Sequence, residues 1–239
     1  MRQLVLVRHG ESEWNRTQRF TGWADVGLTA AGQAQMRAAA VALRQAGIGI
    51  DAAFCSVLRR CTASQWILLD TLERTWVPQL ADWRLNERHY GGLTGRSKAQ
   101  AEREHGLAAV QRWRRSYDAV PPPMDARATA CVPIDGRYAG LAAAQIPAGE
   151  SLQQTVARVD QVWRQRIAPM LATHATVAVV GHGNSLRALM KTVECLSDDA
   201  IASVEVANAE PVVYAFDAAG RLLCKRRLQA GSARPSEIL

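Results

Sequence analysis

The stretch Leu4-Val5-Leu6-Val7-Arg8-His9-Gly10 decides the fold. Four successive apolar residues with no polar alternation mark a short strand buried on both faces, as the central strands of parallel sheets are. The run ends in a guanidinium, an imidazole and a turn residue. Farther along, Thr176 to Val180 repeats the arrangement, a short apolar strand followed by Gly181-His182-Gly183-Asn184. Ligands of such sheets bind beyond the carboxyl ends of the strands. Two histidines far apart in sequence are therefore expected at one crevice.

Outward from these strands, Thr29 should cap a helix over Ala30 to Gln45 that Gly47 stops. A strand is expected at Ala52 to Cys55, a helix at Val57 to Leu72, and a strand at Trp76 to Leu80 that Pro78 keeps near an edge. Ser151 should cap a helix to about Leu171, Ser185 to Leu196 should form another, and Pro211 to Phe216 and Leu222 to Arg226 should close the sheet. The alternation predicts an α/β three-layer sandwich, a mostly parallel central sheet flanked by helices. A single domain is expected over residues 1–239. Within it, an insertion with short helices at about 81–147 carries Gly91-Gly92 and Pro121-Pro122-Pro123, and a mobile tail is expected at about 229–239.

With 48% apolar residues among 239, the chain can bury a large core, which excludes disorder as the default. The opening residues Met1 to Val7 are too short an apolar run for a signal peptide or a membrane span. Five cysteines, odd in number and without a Cys-x-x-Cys pair, argue against a disulfide framework and a zinc site. Reduced thiols and a cytoplasmic location are expected. The net charge of +7 suits anionic partners, among them nucleic acid, acidic membranes and phosphorylated metabolites.

A neutral imidazole can accept a phosphoryl group and release it, splitting one transfer into two steps. His9 is the candidate nucleophile. Phosphoryl transfer needs a fixed cationic cradle, which Arg8 and Arg60 can supply, with His182 as a further donor and Asn15 helping to orient the nucleophile. Glu87, in Leu85-Asn86-Glu87-Arg88-His89-Tyr90, is the candidate proton carrier, since an adjacent phosphate would favour the protonated form that a general acid requires. No metal motif accompanies these residues, and the arginines take the place of a cation.

The segments Leu4 to Ser12 with Asn15, Phe20-Thr21-Gly22-Trp23, Ser56-Val57-Leu58-Arg59-Arg60, Arg84 to Gly91 and Gly181 to Ser185 together resemble the 2,3-bisphosphoglycerate-dependent phosphoglycerate mutases of the histidine phosphatase superfamily. The resemblance runs to about Phe216. It implies that His9 carries the phosphoryl group, that Glu87 is general acid and base, and that Arg8, Arg60, Asn15 and His182 hold the phosphate. It also implies substrate contacts at Ser12, Thr21, Gly22, Arg88, Tyr90, Lys98, Arg114, Arg115, Gly183 and Asn184. The implied reaction interconverts 3-phosphoglycerate and 2-phosphoglycerate in glycolysis and gluconeogenesis, with 2,3-bisphosphoglycerate as phosphoryl donor and no metal, in a homodimer or homotetramer. Family members usually read Pro-Thr-Gly or Pro-Asn-Gly where this chain has Ala207-Asn208-Ala209, so a glycine turn beside the site is expected to be lost. Residues Ala126 to Asp135 and the tail after Arg227 also depart from the pattern.

Two rivals stand beside this reading. A broad-specificity histidine phosphatase would use the same His9 and Glu87 on small phosphate monoesters and let water take the phosphoryl group. A nucleic-acid module is permitted by charge, but no motif supports it, nor do Trp66, Trp76, Trp83, Trp113 and Trp163, which interleave with no basic stripe and are expected in the core or an interface. Taken singly, Lys98 and Arg114-Arg115 could be a solvated helix face, Glu87 and Arg88 a surface ion pair, and His89, His105 and His174 structural.

Overall fold

Along the first strand, Leu4 and Leu6 pack into one apolar cluster and Val5 and Val7 into another, so each face of the strand meets its own core. The computed structural model describes residues 1–132, 134–228 and 236–238. The elements in order are β1 (Arg2–Arg8), α1 (Glu13–Arg16), α2 (Ala30–Gln45), β2 (Ala52–Cys55), α3 (Arg59–Thr71) and β3 (Gln79–Ala81). Then come α4 (Lys98–His105), α5 (Leu107–Arg115), α6 (Ala126–Cys131), α7 (Leu152–Val162), α8 (Ala168–Thr173), β4 (Thr176–Gly181) and α9 (Gly183–Glu194). The chain closes with α10 (Ala200–Ser203), β5 (Pro211–Phe216), β6 (Leu222–Arg227) and β7 (Ser236–Ile238).

The strands form one sheet in the order β3-β2-β4-β1-β5-β6-β7. β3, β2, β4 and β1 run parallel, while β5 pairs antiparallel with β1 and with β6. One face packs on Val159, Val162, Leu186 and Leu189 of α7 and α9, and the other on Met36, Leu43, Leu68 and Leu69 of α2 and α3. This is the expected three-layer α/β sandwich. β1 and β4 are neighbours with Arg8 opposite Gly181, which brings the residues after both strands to one crevice.

Several boundaries differ from expectation for local reasons. Helix α3 starts at Arg59 because Ser56 Oγ accepts the N–H of Leu58, whose backbone is extended. β3 begins at Gln79 because Pro78 has no N–H for a ladder. The helix after Ser151 is interrupted by a π turn, Trp163–Ile167, where Pro169 removes a helical donor. Helix α9 starts at Gly183, earlier than Ser185, since Ser185 Oγ accepts the N–H of His182 and caps the helix there. Trp66 and Trp76 lie on the surface, 55% and 71% exposed, and not in the core. The expected mobile tail falls mainly on residues 229–235 and 239, outside the described residues, while Ser236–Ile238 pairs with β6. Among the described residues no helix is long and apolar enough to cross a membrane.

Candidate active site

His9 leaves the end of β1 held on both sides of its backbone. Its N–H donates to Gly181 O at 3.0 Å, and its carbonyl accepts from Asn208 Nδ2 at 2.7 Å. The following Gly10 passes so close to helix α2 that a Cβ would lie 2.1 Å from Gly32 O, so no larger residue fits. Gly10 O accepts the imidazole Nδ1–H of His9 at 2.7 Å, an assignment that leaves the lone pair on Nε2. Burial first, then the charges of Arg60 and Arg8, hold the His9 pKa well below its ordinary value. The result is a fixed, neutral imidazole.

Arg60 is 1% exposed and donates to Ala24 O at 2.7 Å, to Gly22 O at 2.8 Å and, through Nε, to His182 Nδ1 at 3.2 Å. Gly22 adopts φ +52°, which turns its carbonyl toward the guanidinium. His182 departs from expectation. It is fully buried, its Nε2 lies 3.3 Å from Cys61 Sγ, and it does not line the cavity. With Nδ1 accepting from Arg60, the imidazole orients the cradle from behind. Its ring stands edge-on to His9, centroids 5.1 Å apart, and burial together with Arg60 keeps it neutral. Arg8 donates through Nη1 to Val206 O at 2.8 Å, while its buried Nε has no protein partner.

Glu87 meets this group from the segment after β3. Its Oε1 accepts the N–H of Arg88 at 2.8 Å and of Asn184 at 3.1 Å, and Oε2 makes no hydrogen bond among the described residues. A buried network fixes the backbone here. Arg158 donates to the carbonyls of Arg84, Asn86 and Glu87, pairs with Glu150 through both carboxylate oxygens, and Trp23 Nε1 donates to Glu87 O at 2.7 Å. Glu150 also accepts the N–H of His89 at 2.8 Å.

The cavity in front of His9 has a volume of about 370 Å³. Arg8, Arg60, Glu87, Asn15, Thr21, Gly22, Tyr90, Lys98, Arg114, Arg115, Gly183 and Asn184 line it with His9. Lys98 and the arginine pair are thus more than a solvated helix face. Burial and the charges of Arg114, Arg8 and Arg115 lower the Lys98 pKa. Ser12 and Arg88 do not reach the cavity. Ser12 is buried and exchanges hydrogen bonds with Asn15, capping α1. Arg88 is buried behind the wall, where Nη2 donates to Arg114 O at 3.1 Å and the guanidinium lies 4.9 Å from the Tyr90 ring centroid.

Sequence reasoning missed Arg187, Asn208, Arg19 and Glu205, which also line the cavity. Arg187 had a usable signal, since it lies one helical turn after Asn184, whose Oδ1 it binds at 3.1 Å. The expected loss of the turn at Ala207-Asn208-Ala209 is corrected. Ala209 adopts φ +53° and donates its N–H to Arg8 O at 2.8 Å, so the left-handed turn persists without glycine. Among the described residues no group of three or more His, Cys, Asp and Glu side chains is arranged to hold a metal.

A buried neutral histidine at the carboxyl end of a central strand, in a wall of arginines with the carboxylates of Glu87 and Glu205 among them, forms a site suited to a small anion. Residues 4–132 and 134–226 match the histidine phosphatase superfamily (branch 1), and the chain belongs to that family. The fold is similar to mycobacterial glucosyl-3-phosphoglycerate phosphatase bound to VO3, at TM-score 0.71 and 23% identity over 95% of this chain and 97% of that one. It is also similar to a putative α-ribazole-5′-P phosphatase of Escherichia coli, at TM-score 0.67 and 20% identity over 91% and 92% of the two chains. The α-ribazole phosphatase of Shigella flexneri compares at TM-score 0.66 and 19% identity over 90% and 91%.

Proposed function

We propose that this chain hydrolyses small phosphate monoesters that carry a further anionic group, by way of a phosphohistidine at His9. The observation that carries the reading is the committed tautomer of His9, with Nδ1 bound to Gly10 O and Nε2 free beside Arg8 and Arg60. Nε2 attacks phosphorus and the ester P–O bond breaks. Arg8 and Arg60 balance the charge on the equatorial oxygens, and Glu87 passes its proton to the leaving oxygen. Water then attacks the phosphohistidine, Glu87 takes its proton, and the P–N bond breaks to release phosphate and neutral His9. Solved structures described as phosphatases lend this reading further support.

The outer cations favour a second reading. Lys98, Arg114, Arg115 and Arg187 suit a carboxylate or a second phosphate, as a phosphoglycerate mutase primed by 2,3-bisphosphoglycerate would need. One assay separates the two. With 3-phosphoglycerate and a trace of 2,3-bisphosphoglycerate, free phosphate is the expected main product, and 2-phosphoglycerate in excess of phosphate would establish the mutase. Both readings require acid-labile label on the protein after incubation with a labelled phosphomonoester. His9→Ala should abolish that label, and equal labelling of the variant and the parent would overturn both.

A further inference from the structure

The cavity wall is built from cations, with two carboxylates among them, Glu87 and Glu205. Glu87 has work in the chemistry. Glu205 has none, yet its carboxylate pairs with Arg115 at 2.7 Å at the outer end of the cavity. Its side chain is 72% exposed, so it is no buried structural acid. Its position is nonetheless set by the backbone on either side. Arg227 Nη2 donates to Glu205 O at 2.9 Å, and Arg8 Nη1 donates to the carbonyl of the next residue, Val206, at 2.8 Å. A strand residue and a cavity arginine therefore hold this segment at the rim.

We propose that Glu205 is a specificity-determining residue, a counter-ion built into the wall that occupies Arg115 and limits how much negative charge the outer half of the site accepts. The inference rests on the phosphomonoester reading of the site and deepens it by naming the substrate class. A distal carboxylate or a polar neutral tail fits beside the Glu205–Arg115 pair. A second phosphate must displace Glu205 from Arg115 and then lie next to a freed carboxylate, an arrangement of like charges that disfavours it. The acid thus selects monophosphates over bisphosphates.

The test measures binding calorimetrically in His9→Ala chains, where no transfer intervenes. The probes are inorganic phosphate, 3-phosphoglycerate and 2,3-bisphosphoglycerate. Adding Glu205→Gln should leave phosphate affinity within about 2-fold, tighten 3-phosphoglycerate about 3-fold and tighten the bisphosphate about 10-fold, as expected for removing one exposed like charge. Glu205→Asp should keep the parent ranking, and rising salt should shrink the gains. Equal changes for all three probes, no change, or no binding would overturn the inference. A parent that shows this charge ranking but neither labels at His9 nor releases phosphate keeps the inference and loses the phosphatase reading. One that releases phosphate while Glu205→Gln leaves the ranking unchanged does the reverse.

Discussion

Ala209 sits in a left-handed conformation, φ +53°, that costs an L-residue roughly 1–2 kcal/mol and a glycine nothing sterically. Its N–H donates to Arg8 O, so the strained turn clamps the strand end next to His9. Glycine loses about 0.5–1 kcal/mol more backbone entropy on folding. Ala209→Gly should therefore raise stability by up to about 1 kcal/mol, read as a small increase in Tm by thermal melting. A lower Tm would show that the Ala209 methyl packs more strongly than the turn strains. At His9, burial and two arginines depress the pKa, so the imidazole stays neutral as pH falls through 6.5. In an NMR titration its ring protons should show no transition centred near 6.5, and one there would contradict the enclosed site. The place of His9 at the crevice was legible because it directly follows an apolar strand. His182 was legible only by location, since sequence does not tell which side of Arg60 an imidazole takes.

At the scale of elements, the parallel pair β1 and β4 brings both motifs together, and their apolar runs announced it. The segment carrying Glu87 was harder to read. What holds it is Arg158, on α7, reaching three carbonyls and Glu150, and nothing in the spacing of an arginine in an amphipathic helix distinguishes this from a solvated position. Arg158→Met leaves Glu150 buried without its cation, a change that typically costs about 3–5 kcal/mol. Chemical denaturation should register that loss, and kcat should fall roughly tenfold or more as Glu87 loses its fixed backbone. Unchanged stability would mean that Glu150 finds another donor. The π turn before α8 was equally hidden, although Pro169 in mid-helix marked where a plain helix could not continue.

For the whole molecule, three buried histidines couple protonation to folding. His9, His182 and His89 all have folded pKa values below 6.5, each chiefly through burial, and His89 is lowered to about 4. The unfolded chain then binds more protons as pH falls, so their stabilising contribution is complete above about pH 6.5 and drains below it. For His89 the loss between pH 6.5 and about 4 is on the order of 3 kcal/mol. Urea midpoints at pH 7 and 5 should differ clearly for the parent and less for His89→Gln, and equal differences would remove His89 from the account. The layered architecture was legible from strand and helix alternation, whereas the charge of +7 could only point to anions until the cavity showed where the cations converge. The placement of β1 bears on how the molecule is made. Its partners, β4 and β5, begin at Thr176 and Pro211, so a growing chain carries Leu4 to Val7 unpaired through most of synthesis. Such a segment is prone to aggregate while it waits. A ribosome-bound chain stopped before residue 176 should engage holding chaperones and lack the crevice between β1 and β4, and chaperone release should coincide with its formation in one late step of translation.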